Sequence, residues 1–214
     1  MSQLEPVTRP AYVRTNEWFE TVRADWTRIL GNVNPKTYLE VGSFEGASTC
    51  CVIDQLSPNH ALDIHCVDTW DGGIEHKAWG TDMQSVEGRF SHNTEIAKRF
   101  APNAVSLTLH KGTSDVQMSK LVAQGRSGFF DFVYIDGSHQ APDVLLDACL
   151  GFKLLKIGGV LAFDDYAWFE RLPYGKDPLR CPKPAIDAFV NLNWRKLDMV
   201  RAPLYQLFIR KNAD

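Results

Sequence analysis

The stretch "TYLEVGSFEGASTCCVIDQL", residues 37–56, reads as a strand (37–41), a tight turn and a helix (45–56). Gly42 and Gly46 flank the turn. Glycines there let a ligand approach the backbone, and the helix start offers N–H groups with no intrahelical partner. The spacing is G-x-x-x-G rather than G-x-G-x-x-G. A tight strand–helix turn in any α/β protein would also satisfy it. Glu40 adds information, because a carboxylate inside a buried strand needs a reason.

Outward from this unit the alternation continues. Strands are expected at 62–68, 105–112, 130–136 and 159–165, and helices at 114–124, 141–155 and 183–192, with Pro142 in a first turn. The end, "WRKLDMVRAPLYQLFIRK", reads as two strands turning at Ala202–Pro203, an antiparallel hairpin. The pattern predicts an α/β fold with a doubly wound, mostly parallel seven-stranded sheet and helices on both faces. Residues 1–35 form an N-terminal segment ahead of a domain at 36–214. Its first 14 residues read as loosely ordered. An amphipathic helix follows, with Trp18, Val22, Trp26 and Ile29 at helical spacing and Thr15 or Asn16 as cap.

The 214 residues carry a net charge of −3, with 44% hydrophobic and 23% charged residues, which suits a soluble globular domain. No basic surplus points to a nucleic-acid backbone, no apolar run is long enough for a membrane span, and no apolar signal core opens the chain. A cytoplasmic protein is expected. The five cysteines include no C-x-x-C pair. Cys50, Cys51, Cys66 and Cys149 lie in apolar segments and read as reduced core residues, not as a disulfide frame or zinc site.

In a parallel α/β sheet ligands sit at the carboxyl ends of the strands. Asp68 ends the second strand, 22 positions after Gly46, where a carboxylate can hold ribose hydroxyls. Trp70 either stacks on a base or packs under a loop. Ser114, after the third strand, either bonds a ligand or caps the next helix. Asp136 ends the fourth strand, with His139 three residues on, and Asp164 and Asp165 end the fifth. Three carboxylates converging from neighbouring strands repel one another. A hard divalent cation such as magnesium resolves that repulsion; helix caps or salt bridges are the other reading.

Together these strand ends resemble class I S-adenosylmethionine-dependent methyltransferases, over about residues 36–210. "YLEVGSFEGAST" resembles the E-x-G-x-x-x-G-x-S loop of the catechol and caffeoyl-CoA O-methyltransferase branch. "CVDTWDG" resembles the acidic ribose turn, "FDFVYIDGSH" the fourth motif and "LLKIGGVLAFDDY" the fifth-strand motif, also found in macrolide-sugar O-methyltransferases. The resemblance implies a Rossmann-like fold. It implies cofactor contacts from Glu40, Gly42, Ser43, Gly46 and Ser48 around the methionine part, from Asp68 to the ribose, from Ser114 and Trp70 near the adenine, and from Asp136. It implies magnesium on Asp136, Asp164 and Asp165. His139 stands where the catechol branch has a lysine base. Histidine suits that task near neutral pH, with Asp136 acting through water as the alternative.

The implied activity is Mg-dependent methyl transfer from S-adenosyl-L-methionine to a hydroxyl of a small molecule: a sugar, natural product or catechol-like ring. The alternatives are a metal-free N- or O-methyltransferase, a nicotinamide-dependent oxidoreductase and a non-catalytic cofactor-binding protein. Segments at about 70–85 and 167–183 exceed what the fold needs and read as lids. Their aromatics suit a ring, and Arg171, Lys176 and Arg180 an anionic group, unless these are ordinary solvated loop charges. The resemblance also implies a homodimer.

Overall fold

The computed structural model describes residues 8–214. Seven strands form one sheet: β1 (Thr37–Val41), β2 (Leu62–Asp68), β3 (Val105–Lys111), β4 (Phe130–Ile135), β5 (Leu155–Phe163), β6 (Leu197–Val200) and β7 (Leu207–Lys211). Their order is β3-β2-β1-β4-β5-β7-β6. β1 to β5 run parallel, and β7 returns antiparallel between β5 and β6. This is the expected mostly parallel sheet with a C-terminal hairpin. The chain winds outward in one direction through β2 and β3 and in the other through β4 and β5. The crevice between β1 and β4 is therefore the topological switch point, where ligands bind in such sheets.

Among the described residues there are seven α-helices: α1 (Arg23–Val33), α2 (Ala47–Leu56), α3 (Ile74–Trp79), α4 (Met83–Arg99), α5 (Ser114–Ala123), α6 (Ala141–Leu154) and α7 (Lys183–Leu192). Strand alternation sends Tyr38 and Glu40 to one face of β1 and Leu39 and Val41 to the other. The first face packs on α1, α2 and α4 through Trp26, Ile53 and Phe90, and the second on α5, α6 and α7 through Met118, Val144 and Phe189. Trp26 is fully buried and meets Tyr134 edge-on, with ring centroids 4.6 Å apart. The N-terminal helix thus packs on its own sheet.

The structure differs from the sequence reading in several places. The N-terminal helix is broken: a 3₁₀ turn (Trp18–Thr21) precedes α1, so Trp18 leaves the buried stripe and is 56% exposed. Of the first 14 residues, 1–7 lie outside the described residues, and 8–14 are strapped down rather than loose. The Tyr12 hydroxyl donates to Asp54, and Val13 exchanges two 2.8 Å hydrogen bonds with the Asn93 side chain. Cys149 is exposed on α6, although its neighbours are apolar; all five cysteines are free thiols. β5 begins earlier than expected, because the ladder to β4 slips between Phe130 and Phe132 and resumes at Val160. Gly158 (φ 87°) and Gly159 make that irregularity possible, since a Cβ on Gly159 would lie 2.9 Å from the Asp131 carbonyl.

At the outer edge of the sheet His65 Nδ1 lies 2.8 Å from His110 Nε2, with the rings stacked. Burial lowers the pKa of both; Arg126 lowers both further, Lys120 lowers His110, and Asp63 opposes the shift at His65. A group whose folded pKa is depressed binds fewer protons folded than unfolded. Its contribution is present above the unfolded value of about 6.5 and is lost as pH falls below it. Thermal melts of a His110→Gln variant are expected to show a flatter loss of stability below about pH 6.5 than the parent. An unchanged slope would rule out the pair as the cause.

Candidate active site

The carboxyl ends of β1, β2, β4 and β5 open into a cavity of about 880 Å³. Its size is at the upper end for small-molecule sites. The first wall is the glycine turn. Gly42 has φ 84°, and its amide donates to the Val67 carbonyl. The Asp68 carboxylate fastens this turn to β2, accepting the Ser43 and Phe44 amides at 2.7 and 3.0 Å on one oxygen and the Trp70 amide at 2.7 Å on the other. Gly42, Ser43, Ser48, Asp68 and Ser114 all line the cavity. So does Asp147 of α6, a buried carboxyl raised to about 7 by burial, whose oxygens find no protein partner.

Three expected cofactor contacts sit elsewhere. Glu40 is fully buried under the turn and accepts the Tyr38 and Thr49 hydroxyls at 2.7 and 2.9 Å, so it braces β1 against α2 instead of lining the cavity. Burial raises its pKa to about 7 against those two hydrogen bonds. Gly46 is the left-handed cap of α2, with Phe90 against it. Trp70 is packed under the loop on Phe90, centroids 5.0 Å apart, and its indole N–H donates to the Phe44 carbonyl. Ser114 is the first residue of α5, whose cap position is Thr113.

The second wall is acidic. Asp136, His139 and Asp165 each place a ligand atom within 4.8 Å of the others. Asp164 stands behind them. One of its oxygens accepts the Asp165 amide at 2.8 Å and the Gln206 amide at 3.0 Å; the other accepts the Tyr134 hydroxyl, which also reaches Asp136 at 3.0 Å. Gln206 in turn accepts the Trp26 indole N–H at 3.0 Å, which ties α1 to the acids. The two adjacent aspartates separate because Asp165 adopts a left-handed φ of 53°, which swings its carboxylate toward His139 Nε2, 2.9 Å away. Such a backbone costs an L-residue roughly 1–2 kcal/mol, and strain of this kind concentrates at functional sites.

Burial, then the mutual charge of Asp136, Asp164 and Asp165, raises Asp136 well above the usual carboxylate range and Asp164 to about 6. Burial acts to lower the His139 pKa, but Asp165, Glu75 and Asp164 outweigh it and raise the group. No lysine or arginine pairs with Asp136, Asp164 or Asp165 among the described residues. A donor set of carboxylate oxygens and one imidazole nitrogen, short of positive charge, fits a divalent cation.

The lids complete the cavity. The first folds into α3 and supplies Glu75, His76, Lys77 and Trp79; the second supplies Trp168, tilted 37° against the His139 ring with centroids 4.2 Å apart. Arg171, Lys176 and Arg180 do not line it, and Arg180 pairs with Glu170 at 2.6 Å. Trp18, Phe44, His76 and Trp79 form an aromatic wall, with successive ring centroids 5.4, 5.2 and 5.8 Å apart. Little in the sequence singles out Glu75, Phe44 or Gln206, because none is a fixed position in a motif of recognisable spacing or chemistry. No helix among the described residues is long and apolar enough to cross a membrane.

Residues 39–166, from β1 to just past the Asp164–Asp165 pair, match the family model of a methyltransferase domain. The chain belongs to this methyltransferase domain family. A relative from Dictyostelium discoideum, described as probable caffeoyl-CoA O-methyltransferase 3, is 25% identical over 179 residues, covering 78% of this chain; the chain spans 62% of that relative's length. Among solved structures, an O-methyltransferase from Bacillus cereus in complex with SAH superimposes with a TM-score of 0.62 at 14% identity, covering 95% of this chain and 84% of that one. The O-methyltransferase TomG from Streptomyces achromogenes, in complex with SAM, gives 0.63 at 14% identity, covering 90% and 80%. These likenesses show a shared methyltransferase fold.

Proposed function

We propose that this chain is an S-adenosylmethionine-dependent O-methyltransferase that uses a divalent cation such as magnesium and acts on a small ring-bearing acceptor. The observation that carries the reading is the meeting of Asp136, His139 and Asp165 beside a cavity whose opposite wall is the glycine turn. The turn, Ser43, Ser48, Asp68 and Ser114 would hold the cofactor; Asp136 and Asp165, with Asp164 behind them, would hold the cation. When bound, the cofactor supplies an activated methyl group, and the cation supplies the positive charge that the acids lack.

The chain's own residues do the rest. His139 presents Nε2 to the acid cluster and takes the acceptor hydroxyl proton as general base, help worth roughly 10²–10⁴-fold. Trp168 packs at a tilt against the imidazole and helps hold its position. Phe44, His76 and Trp79 offer ring faces to a flat or saccharide acceptor. Among the described residues only Arg14 and Lys77 bring positive side chains to the cavity, apart from histidine. Phosphate-rich acceptors call for arginine or lysine clusters. The cavity therefore favours an uncharged phenol or sugar over a coenzyme A thioester.

A second reading makes His139 a cation ligand, because its nitrogen belongs to the cluster. One experiment separates the two. Calorimetry of S-adenosylhomocysteine and Mg²⁺ is run on wild type and His139→Ala, and a panel of catechols, sugars and coenzyme A thioesters is screened for methylation. The base reading expects both ligands to bind the variant while turnover falls about 10²–10⁴-fold. Loss of Mg²⁺ binding in the variant would make His139 a ligand. No S-adenosylhomocysteine binding to wild type would end the methyltransferase reading.

A further inference from the structure

We propose that Asp147, on α6, reads the exocyclic amino group of the cofactor's purine and so sets a preference for adenine. The inference rests on the reading of the cavity as an S-adenosylmethionine site and adds a specificity residue to it.

The pattern of α6 makes Asp147 anomalous. The buried stripe of the helix runs through Ala141, Val144, Ala148, Gly151 and Phe152, and Asp147 stands inside it. The residue is 1% exposed, and neither carboxylate oxygen has a hydrogen-bond partner among the described residues. A buried acid is rare unless paired, and an apolar residue would continue the stripe without that penalty. Two neighbouring acids are placed differently. Asp143 is exposed and accepts the Ser138 hydroxyl at 2.8 Å, and Asp115 stands in water at the first turn of α5. Of the three, Asp147 is the one buried without a partner.

The missing partner has to come from the cavity, which Asp147 borders together with Ser114, Asp115, Asp143 and Leu146. Its chemistry is constrained. Asp147 belongs to no group of three metal-capable side chains; among the described residues only Asp136, His139 and Asp165 form one. An anionic ligand group would meet three carboxylates there. The partner is therefore a hydrogen-bond donor without negative charge. Burial, with Asp143 and Asp115 adding to it, raises the Asp147 carboxyl to about 7, and the nearby Ser114 hydroxyl offsets only part of this. At mildly alkaline pH the group is ionised and can only accept.

The position suits the purine. On the cofactor reading the methyl group must face the acids at the ends of β4 and β5, and Asp68 marks the ribose at the end of β2. The base then falls at the other end of the cavity, between the start of α5 and α6, which pack on each other. Adenine carries an amine on its outer edge, a donor that a carboxylate accepts. A purine with a carbonyl in that place would turn one acceptor against another.

The test is calorimetry of S-adenosylhomocysteine and of S-inosylhomocysteine, which has a carbonyl in place of the amine. It is run at about pH 8.5, where a carboxyl raised to about 7 is ionised, on wild type, Asp147→Asn and Asp115→Asn. Wild type is expected to prefer the adenosyl compound by about 10–100-fold, the worth of a hydrogen bond to a charged group. A side-chain amide can turn its carbonyl to an amine or its amine to a carbonyl. Asp147→Asn is therefore expected to bind the two compounds within about threefold of each other, chiefly by gaining affinity for the inosyl one. It should melt no lower than wild type, because an unpaired buried charge is gone. Asp115→Asn should keep the wild-type preference. Equal binding by wild type, as for a carboxyl satisfied by water alone, would overturn the role of Asp147 and leave the methyltransferase reading standing. So would a preference that persists in Asp147→Asn, or one lost only in Asp115→Asn. If wild type binds neither compound, the methyltransferase reading itself fails and this assignment falls with it.

Discussion

A Gly42→Ala variant is expected to lose S-adenosylhomocysteine binding by at least about 100-fold and to melt well below wild type. A Cβ at this position would lie 2.0 Å from the Asp136 carbonyl oxygen, 2.5 Å from its carbon and 2.7 Å from Gly137 Cα. All three are backbone atoms and cannot rotate away. The strands on either side are already paired, Val41 with Ile135, so the methyl group can be admitted only by forcing β1 and β4 apart at the crevice. That movement separates the glycine turn from Asp136, the two walls of the cavity. The left-handed φ of 84° adds roughly 1–2 kcal/mol for any side chain, and overpacking adds about 1–3 kcal/mol or more. Against a total stability of about 5–15 kcal/mol, the sum is large. Gly80→Ala is the control. It shares a positive φ of 67° but meets nothing within 4 Å. It should cost about the backbone strain alone and keep S-adenosylhomocysteine binding. Equal effects from the two variants would show that strain, and not the closeness of β4, sets the requirement for glycine at 42.

Much of this architecture is legible in the chain because parallel strands state their own ends. An apolar run stopped by an acid marks the carboxyl edge of the sheet, and topology then brings Asp68, Asp136, Asp164 and Asp165 to one crevice. His139 follows from its position three residues past Asp136. What the sequence conceals is direction. Asp164 and Asp165 look equivalent until the φ of 53° at Asp165 sends one carboxylate to His139 and leaves the other among Tyr134, Gln206 and the backbone. Glu40 and Trp70 carry the right chemistry for a ligand, but β1 alternation turns Glu40 toward Tyr38 and Thr49, and a positive φ of 51° turns Trp70 under the loop. Trp18 fits the helical stripe by spacing, yet the 3₁₀ turn rotates it out to the cavity mouth. Glu75 is hidden most completely. In sequence it is one charge in a polar lid, and only the folding of α3 over the site buries it against two imidazoles.

Asp136→Asn is expected to make the cation-free protein more stable while lowering turnover on the order of 10²–10³-fold, the loss seen when one charge-stabilising group is removed. Burial and the neighbouring charges of Asp164 and Asp165 raise Asp136 well above the ordinary carboxylate value. A carboxyl raised in the folded state binds more protons folded than unfolded. Its neighbourhood is therefore most stable at acid pH, and stability is lost as pH rises from the unfolded value, about 3.9, through the raised folded one. The amide removes one charge and keeps the shape, so the variant should escape that loss at neutral pH, with Tm rising by about 2–4 °C for each kcal/mol relieved. This trend runs opposite to that of the His65–His110 pair, so the wild-type profile alone mixes the two; the difference between wild type and Asp136→Asn isolates the acids. Magnesium should do for wild type what the amide does for the variant. At a hundredfold excess over its Kd a ligand adds about 2.7 kcal/mol, and that gain should be absent or much reduced in Asp136→Asn. Melts with chelator and with Mg²⁺ on both proteins give all four numbers. If the variant is no more stable than wild type in chelator, the acids are not in conflict in the empty site. Charge relief would then cease to be the reason for a cation there.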